Sequence, residues 1–128
     1  MKYLLDTNVI IAFINKDLNV YDYLLQKGRI CISTITLGEL YFGAYKSTKT
    51  NENMMEINTF VSDCCIVYDI KPETANKYGI LRNYLRQKGK PIPENDLWIV
   101  ATAIDNGLIL VSRDKHMLEL DCVNSEKW

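Results

Sequence analysis

The chain alternates short apolar segments with longer segments whose apolar residues recur every three or four positions. The short segments are typical of buried strands, and the spacing of the longer ones predicts amphipathic helices. Strands that alternate with helices pair in parallel through right-handed crossovers, so helices cover both faces of the sheet. We therefore predict an α/β fold, a three-layer α/β/α sandwich with a central parallel sheet of four to five strands.

The element bounds follow from the same patterns. Strands are predicted at residues 2–5, 29–33, 65–68 and 108–111, with a candidate edge strand at 121–124. Helices are predicted over residues 8–14, 17–27, from Thr34 or Thr36 to 44, 51–63, 72–87 and 95–105. Thr7 is the predicted cap of the first helix, and Pro72 is predicted to open the fifth. Gly28 is predicted to end the second helix and Asn106-Gly107 the sixth. The 128 residues contain no linker and are interpreted as one domain, residues 1–128.

Hydropathy argues against membrane and secretory classes. No apolar run approaches the roughly 20 residues that a membrane-spanning helix needs. The apolar run at 9–14 is too short for a signal peptide and follows an acidic residue, Asp6. We expect a soluble, cytoplasmic protein without a membrane partner.

The cysteines do not form a zinc pattern. The chain has Cys31, Cys64, Cys65 and Cys122 but no C-x-x-C pair, and its one histidine is His116. We expect four reduced, mostly buried thiols, and a packing or solvent role for His116.

Four acidic residues lie near predicted strand ends or helix starts: Asp6, Glu39, Asp96 and Asp114. The carboxyl ends of parallel strands meet at one edge of a sheet, where ligands bind. Carboxylates gathered there repel one another by roughly 4 kcal/mol per pair at ~4 Å and an effective dielectric near 20. Bound protons or a hard divalent cation would offset that repulsion. Oxygen ligands without histidine or thiolate suit Mg²⁺ or Mn²⁺.

Each acid alone also has a structural explanation. Asp6 could cap the first helix, and Glu39, three residues after Thr36, matches a capping box. The helix macrodipole favours Asp96 near a helix start, and Asp114 could be a turn residue. The metal-site interpretation therefore depends on all four acids meeting at one edge of the sheet.

Four segments carry a family resemblance. They are Leu4-Leu5-Asp6-Thr7-Asn8, Ile32-Ser33 with Gly38-Glu39-Leu40-Tyr41-Phe42-Gly43-Ala44, Asn95-Asp96-Leu97-Trp98-Ile99-Val100-Ala101-Thr102-Ala103, and Leu110-Val111-Ser112-Arg113-Asp114. In order and spacing the chain resembles the PIN-domain nucleases, specifically the VapC-type toxins of bacterial and archaeal toxin–antitoxin pairs. The likeness spans nearly the whole chain.

The resemblance implies a PIN-like fold and Mg²⁺- or Mn²⁺-dependent endoribonuclease activity on single-stranded regions of RNA, such as tRNA or rRNA. Cleavage in the family is taken to leave a 3′-hydroxyl and a 5′-phosphate. By resemblance, Asp6 and Asp96 are the metal ligands, and Glu39 and Asp114 complete the site directly or through water. The supporting residues implied are Asn8 and, more weakly, Ser33 and Ser112.

The resemblance also implies partners. Family members form homodimers and are held inactive by a cognate antitoxin, typically VapB-like. That antitoxin inserts a C-terminal segment into the acidic groove. Operator DNA is then contacted only indirectly, through the antitoxin.

One basic segment stands out in a chain whose net charge is −1. Residues 71–90 hold six bases and one acid, so they sum to +5 and the remainder to −6. We hypothesise that this segment guides the RNA backbone toward the metal. The alternative is an ordinary solvated helix face. The residues proposed for RNA contact are Arg82, Arg86, Lys88 and Lys90.

Two other functions remain open from the sequence. Haloacid-dehalogenase-like phosphatases also place an Asp after the first strand, but they need a second Asp two residues later, followed by Gly-Thr. This chain has Asn8 and Val9 there, and no downstream catalytic lysine can be placed. A non-catalytic module that docks a basic peptide in an acidic groove is the second alternative, and the complete set of four acids argues against it.

Overall fold

The structure is a computed structural model that describes residues 2–27 and 30–128. Its five strands are β1 (Tyr3–Leu5), β2 (Ile30–Ser33), β3 (Cys65–Tyr68), β4 (Ile109–Val111) and β5 (Ser125–Glu126). They form one sheet in the order β3-β2-β1-β4-β5, and every pairing is parallel.

Helices connect the strands. They are α1 (Thr7–Ile14), α2 (Leu18–Lys27), α3 (Thr34–Tyr45), α4 (Thr50–Cys64), α5 (Pro72–Gln87), α6 (Glu94–Asn106) and α7 (Lys115–Leu118). Pro72 opens α5 as predicted, where its missing N–H costs no hydrogen bond. Gly107 ends α6 with a φ of 62°, a left-handed conformation that glycine adopts without strain.

The alternation of side chains along the strands sets the layers. Tyr3 and Leu5 of β1 pack with residues of α1 to α4, while Leu4 between them packs with α5 and α6 on the opposite face. The predicted three-layer α/β/α fold with a parallel sheet of four to five strands is confirmed. Both faces of the three central strands β1, β2 and β4 are buried, and the polar residues Asp6 and Ser112 follow directly after β1 and β4.

Several predicted boundaries were wrong. Asp6, not Thr7, caps α1. The edge strand is at Ser125–Glu126 rather than 121–124, because Asp121 accepts hydrogen bonds from Tyr84 and Lys88 of α5 and stays with the helical layer. Helix α7 was not predicted, since four residues are too few to show a helical period. The expected helix stop at Gly28 and strand start at Arg29 lie outside the described residues.

Cys64, Cys65 and Cys122 are free thiols, as expected, but the four cysteines are not mostly buried. Cys31 is buried and Cys65 half-buried, whereas Cys64 and Cys122 are exposed. Burial raises the pKa of Cys65 to about 12, so its thiol stays protonated at neutral pH. Over residues 2–27 and 30–128, no helix has both the length and the apolar character needed to cross a bilayer.

Candidate active site

The four predicted acids line one cleft. Its volume is about 760 Å³, and its walls come from α1, the N-terminal half and end of α3, the start of α6 and the loop after β4. The structure thus brings together residues that are more than 100 positions apart in sequence. The four are Asp6, Glu39, Asp96 and Asp114.

Asp6 follows β1 directly and is the most buried of the four, with 5% of its surface exposed. Its Oδ1 accepts a hydrogen bond from the Thr7 amide at 2.8 Å, and its Oδ2 accepts one from the Ser112 hydroxyl at 2.9 Å. Burial raises the pKa of this carboxyl, and the two hydrogen bonds oppose that rise. Asp6 therefore both caps α1 and faces the cleft.

Asp96 is the third residue of α6, so its carboxylate lies in the first turn. Burial raises its pKa to about 6, and the charges of Asp6, Asp114 and Glu39 add to the rise, in that order. The four acids, which line one cleft, are therefore close enough for their charges to interact. A cation bound among them would relieve the repulsion.

Glu39 is not part of a capping box. The cap of α3 is Ser33, whose hydroxyl accepts from the Thr36 amide at 3.0 Å, and Glu39 lies one turn further along. Its Oε1 instead accepts a hydrogen bond from the Thr7 hydroxyl at 2.8 Å. Thr7, on α1, thus holds a carboxylate of α3 at the cleft, a role that its position in sequence does not reveal.

Asp114 combines a structural and a site position. Its Oδ1 accepts from the His116 amide at 2.8 Å and so caps α7, while its own amide donates to the Ser112 hydroxyl at 3.0 Å. The Ser112 hydroxyl in turn donates to Asp6. Ser112 therefore links two of the four acids.

The three supporting residues differ in their contacts. Ser112 bonds directly to Asp6. Ser33 is connected to the cleft only through Thr36. The Ser33 and Thr36 hydroxyls are 3.3 Å apart, and the Thr36 and Thr7 hydroxyls are 3.4 Å apart. Asn8 lines the cleft and is exposed, and its side chain has no hydrogen bond within the described residues. Their functional roles stay predictions.

The four residues proposed for RNA contact do not line the cleft. Arg82 pairs with Glu94 at 3.5 Å and donates to the Tyr78 hydroxyl, which itself donates to Glu94. Lys88 pairs with Asp121 at 2.8 Å. Arg86 donates to Asn83, and Lys90 is exposed in the loop before α6. Their contact with RNA stays a prediction, and two of the four charges are already paired within the chain.

Sequence reasoning missed two cations near the acids. Lys46 lines the cleft seven residues after Glu39, a spacing that returns to the same helix face and could have revealed it. Arg113, between Ser112 and Asp114, points away from the acids. It donates from Nε to the Trp128 backbone oxygen at 2.7 Å and pairs with Asp17 at 3.0 Å, so it anchors the outer side of the loop that holds Asp114.

The donor chemistry of the cleft fits a hard cation. Its described lining offers carboxylate, hydroxyl and amide oxygens but neither histidine nor cysteine. Within residues 2–27 and 30–128, no three His, Cys, Asp or Glu side chains already stand in a metal-holding arrangement. The acids are close enough to perturb each other's protonation without being preassembled as a ligand cage.

Known proteins match the chain along its whole length. The PIN domain model matches residues 3–121. Ribonuclease VapC2 of Haemophilus influenzae is 38% identical, and the alignment covers 100% of this chain and 98% of the relative. The tRNA(fMet)-specific endonuclease VapC of Shigella flexneri is 34% identical with the same coverage.

Solved structures of VapBC complexes contain chains with the same fold as this one. A crystal structure of VapBC2 from Rickettsia felis, bound to a DNA fragment from their promoter, contains a chain with a TM-score of 0.92 and 32% identity, covering 100% of this chain and 99% of that one. These matches do not support the phosphatase alternative. Because the match runs through every segment that carries a cleft acid, from Asp6 to Asp114, the chain belongs to the PIN-domain family and, within it, to the VapC ribonucleases.

Proposed function

We propose that this ribonuclease is the Mg²⁺- or Mn²⁺-dependent toxin of a VapBC-type pair, an endoribonuclease that cleaves single-stranded regions of tRNA or rRNA. The observation that supports this most is the shared cleft of Asp6, Glu39, Asp96 and Asp114, in which the pKa of Asp96 responds to the other three charges. Such a cluster is costly unless bound protons or a cation offset the repulsion between the carboxylates.

Asp6 and Asp96 are the proposed metal ligands, with Glu39 and Asp114 completing the set. When bound there, the ion would supply an activated water and neutralise charge on the phosphodiester. Hydrolysis would add a water to phosphorus and release the 3′ oxygen, which would take up a proton, leaving a 3′-hydroxyl and a 5′-phosphate.

The chain's own residues fix the carboxylates for that step. Ser112 holds Asp6 Oδ2, the His116 amide holds Asp114 Oδ1, and Thr7 holds Glu39 Oε1. These contacts fix three acids on three different elements, since Asp6 follows β1, Glu39 is on α3 and Asp114 precedes α7. Preorganised charges of this kind need little rearrangement at the moment of reaction.

The relatives suggest partners. The Shigella flexneri relative is named for tRNA(fMet), which makes that tRNA the first substrate to try. The Rickettsia felis complex pairs its VapC with VapB on promoter DNA, so we propose a VapB-like antitoxin here, operator DNA contacted through it, a homodimer, and action in the cytoplasm. An apolar groove between α1, α2 and α4, with Leu18 and Met55 exposed at its rim, suits an apolar segment of such a partner.

The proposal predicts that the purified protein cleaves tRNA(fMet) in Mg²⁺ and not in EDTA. Gel analysis and end mapping should show a small number of defined cleavage sites, and the downstream product of each cut should carry a 5′-phosphate. Metal-assisted hydrolysis at defined single-stranded sites would give this pattern. Addition of the cognate antitoxin should stop cleavage. Hydrolysis of para-nitrophenyl phosphate without any RNA cleavage would contradict the proposal and favour a phosphatase.

Stability should depend on pH through Asp96. Its pKa in the folded chain is about 6, above the ordinary value of 3.8, so the folded state binds this proton more tightly than the unfolded chain does. The resulting stabilisation is complete below about pH 4 and is lost as the pH rises through about 6. In EDTA, we expect the thermal midpoint of wild type to fall over this window more than that of Asp96→Asn.

Mg²⁺ should then raise the wild-type midpoint more at about pH 7.5 than at about pH 5, where protons compete for the carboxylates. Differential scanning fluorimetry measures both effects. Equal pH profiles for wild type and Asp96→Asn, or a Mg²⁺ effect that is the same at both pH values, would argue against a shared cation site.

A further inference from the structure

We propose that the α3 wall of the cleft binds the RNA strand, with Lys46 contacting a backbone phosphate and Phe42 stacking against an unpaired base. This inference rests on the proposed ribonuclease function and assigns its substrate contacts. It follows from a stripe along α3 that runs from the acids to the end of the helix. The stripe consists of Ile35, Gly38, Glu39, Phe42, Gly43 and Lys46, all of which line the cleft.

Lys46 is the cation placed to receive the RNA backbone. It is exposed, and among the described residues that line the cleft it is the one positive charge. Within residues 2–27 and 30–128 it has no carboxylate within 4.0 Å, in contrast to Arg82 and Lys88. An acidic cleft repels phosphates, so a free ammonium at its rim lowers the electrostatic barrier to an approaching strand.

The spacing fits a phosphate other than the scissile one. Seven residues separate Glu39 from Lys46, which corresponds to about 10 Å along the helix axis. A strand lying along α3 would therefore have one phosphate near the acids and another near Lys46.

Phe42 offers an aromatic surface between these two points. It is 66% exposed although it is a large apolar side chain, and the Lys46 ammonium lies over its ring, 5.2 Å from the ring centroid. Unpaired bases stack on exposed aromatic rings, and a neighbouring cation strengthens the contact with the base and backbone. An exposed ring next to a cation that pairs with no carboxylate in the described part of the chain is thus a simple single-strand binding surface.

Two glycines keep this wall open. Gly38 and Gly43 lie inside α3, where glycine is less favourable than alanine, yet a Cβ at either would meet no atom within 4 Å. Neither has a positive φ. Packing and backbone geometry therefore do not require glycine here, whereas a strand pressed against the helix would.

The test for Lys46 is fluorescence anisotropy with fluorescein-labelled oligo(U) in EDTA, repeated over a range of salt concentrations. Lys46→Gln should lower the slope of log K against log salt by about 0.7, the value for one phosphate contact on a single strand. Lys46→Arg should retain it. In Mg²⁺, Lys46→Gln should raise KM for tRNA(fMet) and leave kcat unchanged. Lys49→Gln, an exposed lysine three residues later that does not line the cleft, is the matched control.

The test for Phe42 uses the same assay. Phe42→Ala should weaken oligo(U) binding by roughly 5- to 150-fold without changing the salt slope, because stacking involves no counterion release. Tyr45→Ala is matched in helix and exposure, at 67%, but Tyr45 does not line the cleft, so its affinity should stay at the wild-type value. Gly43→Ala should raise the thermal midpoint and still weaken binding.

The outcomes separate this inference from the proposed function. An unchanged slope and KM in Lys46→Gln would overturn the phosphate contact. If Phe42→Ala weakens self-association in light scattering but not RNA affinity, Phe42 contacts a second copy of the chain and the stacking contact is wrong. Absence of RNA cleavage by wild type would overturn the proposed function, while the anisotropy still decides whether α3 binds RNA.

Discussion

Replacing Asp96 with asparagine is expected to lower RNA cleavage by more than about 100-fold. Loss of even an outer partner of a metal ligand costs 10- to 100-fold, and Asp96 is proposed as a ligand itself. Asparagine keeps the shape and the hydrogen-bonding capacity of the side chain but removes its charge. Asp6→Asn should have a similar effect, and a time course of tRNA(fMet) cleavage in Mg²⁺ measures both.

The matched control is Glu94→Gln. Glu94 lies two residues earlier on the same helix, is exposed, and interacts with Arg82 and Tyr78 rather than lining the cleft. It should keep nearly full activity. Equal losses in Glu94→Gln and Asp96→Asn, or activity retained in Asp96→Asn, would show that the cleft acids are not the catalytic centre.

The loss of activity should not come from unfolding. Asp96 has a raised pKa because burial and three neighbouring carboxylates disfavour its charge. Removing that charge relieves repulsion, so Asp96→Asn in EDTA at neutral pH should be at least as stable as wild type. A variant that is inactive and more stable is typical of an active site whose charges are arranged for function.

Replacing Trp128 with alanine is expected to lower the free energy of unfolding by about 3–5 kcal/mol. Trp128 is only 4% exposed. Its ring stacks on Tyr23 at a centroid distance of 5.3 Å and contacts Tyr3 of β1 at 5.5 Å. The alanine variant would leave a cavity in the core layer that α1 to α4 form with the sheet. Urea unfolding followed by circular dichroism measures the change.

Trp128→Phe should recover most of this stability, because a smaller ring still fills the site between the two tyrosines. A loss below about 1 kcal/mol in Trp128→Ala would contradict the assignment of Trp128 to the core. The variant also tests whether packing of the Trp128 ring supports the loop before Asp114, because Arg113 donates to the Trp128 backbone oxygen, which alanine keeps. Slower cleavage by folded Trp128→Ala, well below its thermal midpoint, would show that this packing supports the site.

Much of the fold was readable from local patterns. The 3.6-residue spacing of apolar side chains gave α5 and α6, and Pro72 and Gly107 marked their limits. The short strands were found because a parallel sheet buries both faces and needs apolar residues throughout. The edge strand was misplaced because its two residues are held by pairing with β4, while Asp121 before it is held by side chains of α5. Such contacts leave no local signal.

The sequence by itself determined the fold class and the family resemblance, and it predicted the four acids as site residues, because strand ends and helix starts are local features. Only the tertiary structure showed that Asp6, Glu39, Asp96 and Asp114 share one cleft and that the pKa of Asp96 responds to the other three. It also showed that the charges of Arg82 and Lys88 are paired with Glu94 and Asp121, so we now expect the RNA contact at Lys46 instead. Pairing and shared burial join residues far apart in the chain, and neither is set until the chain has folded.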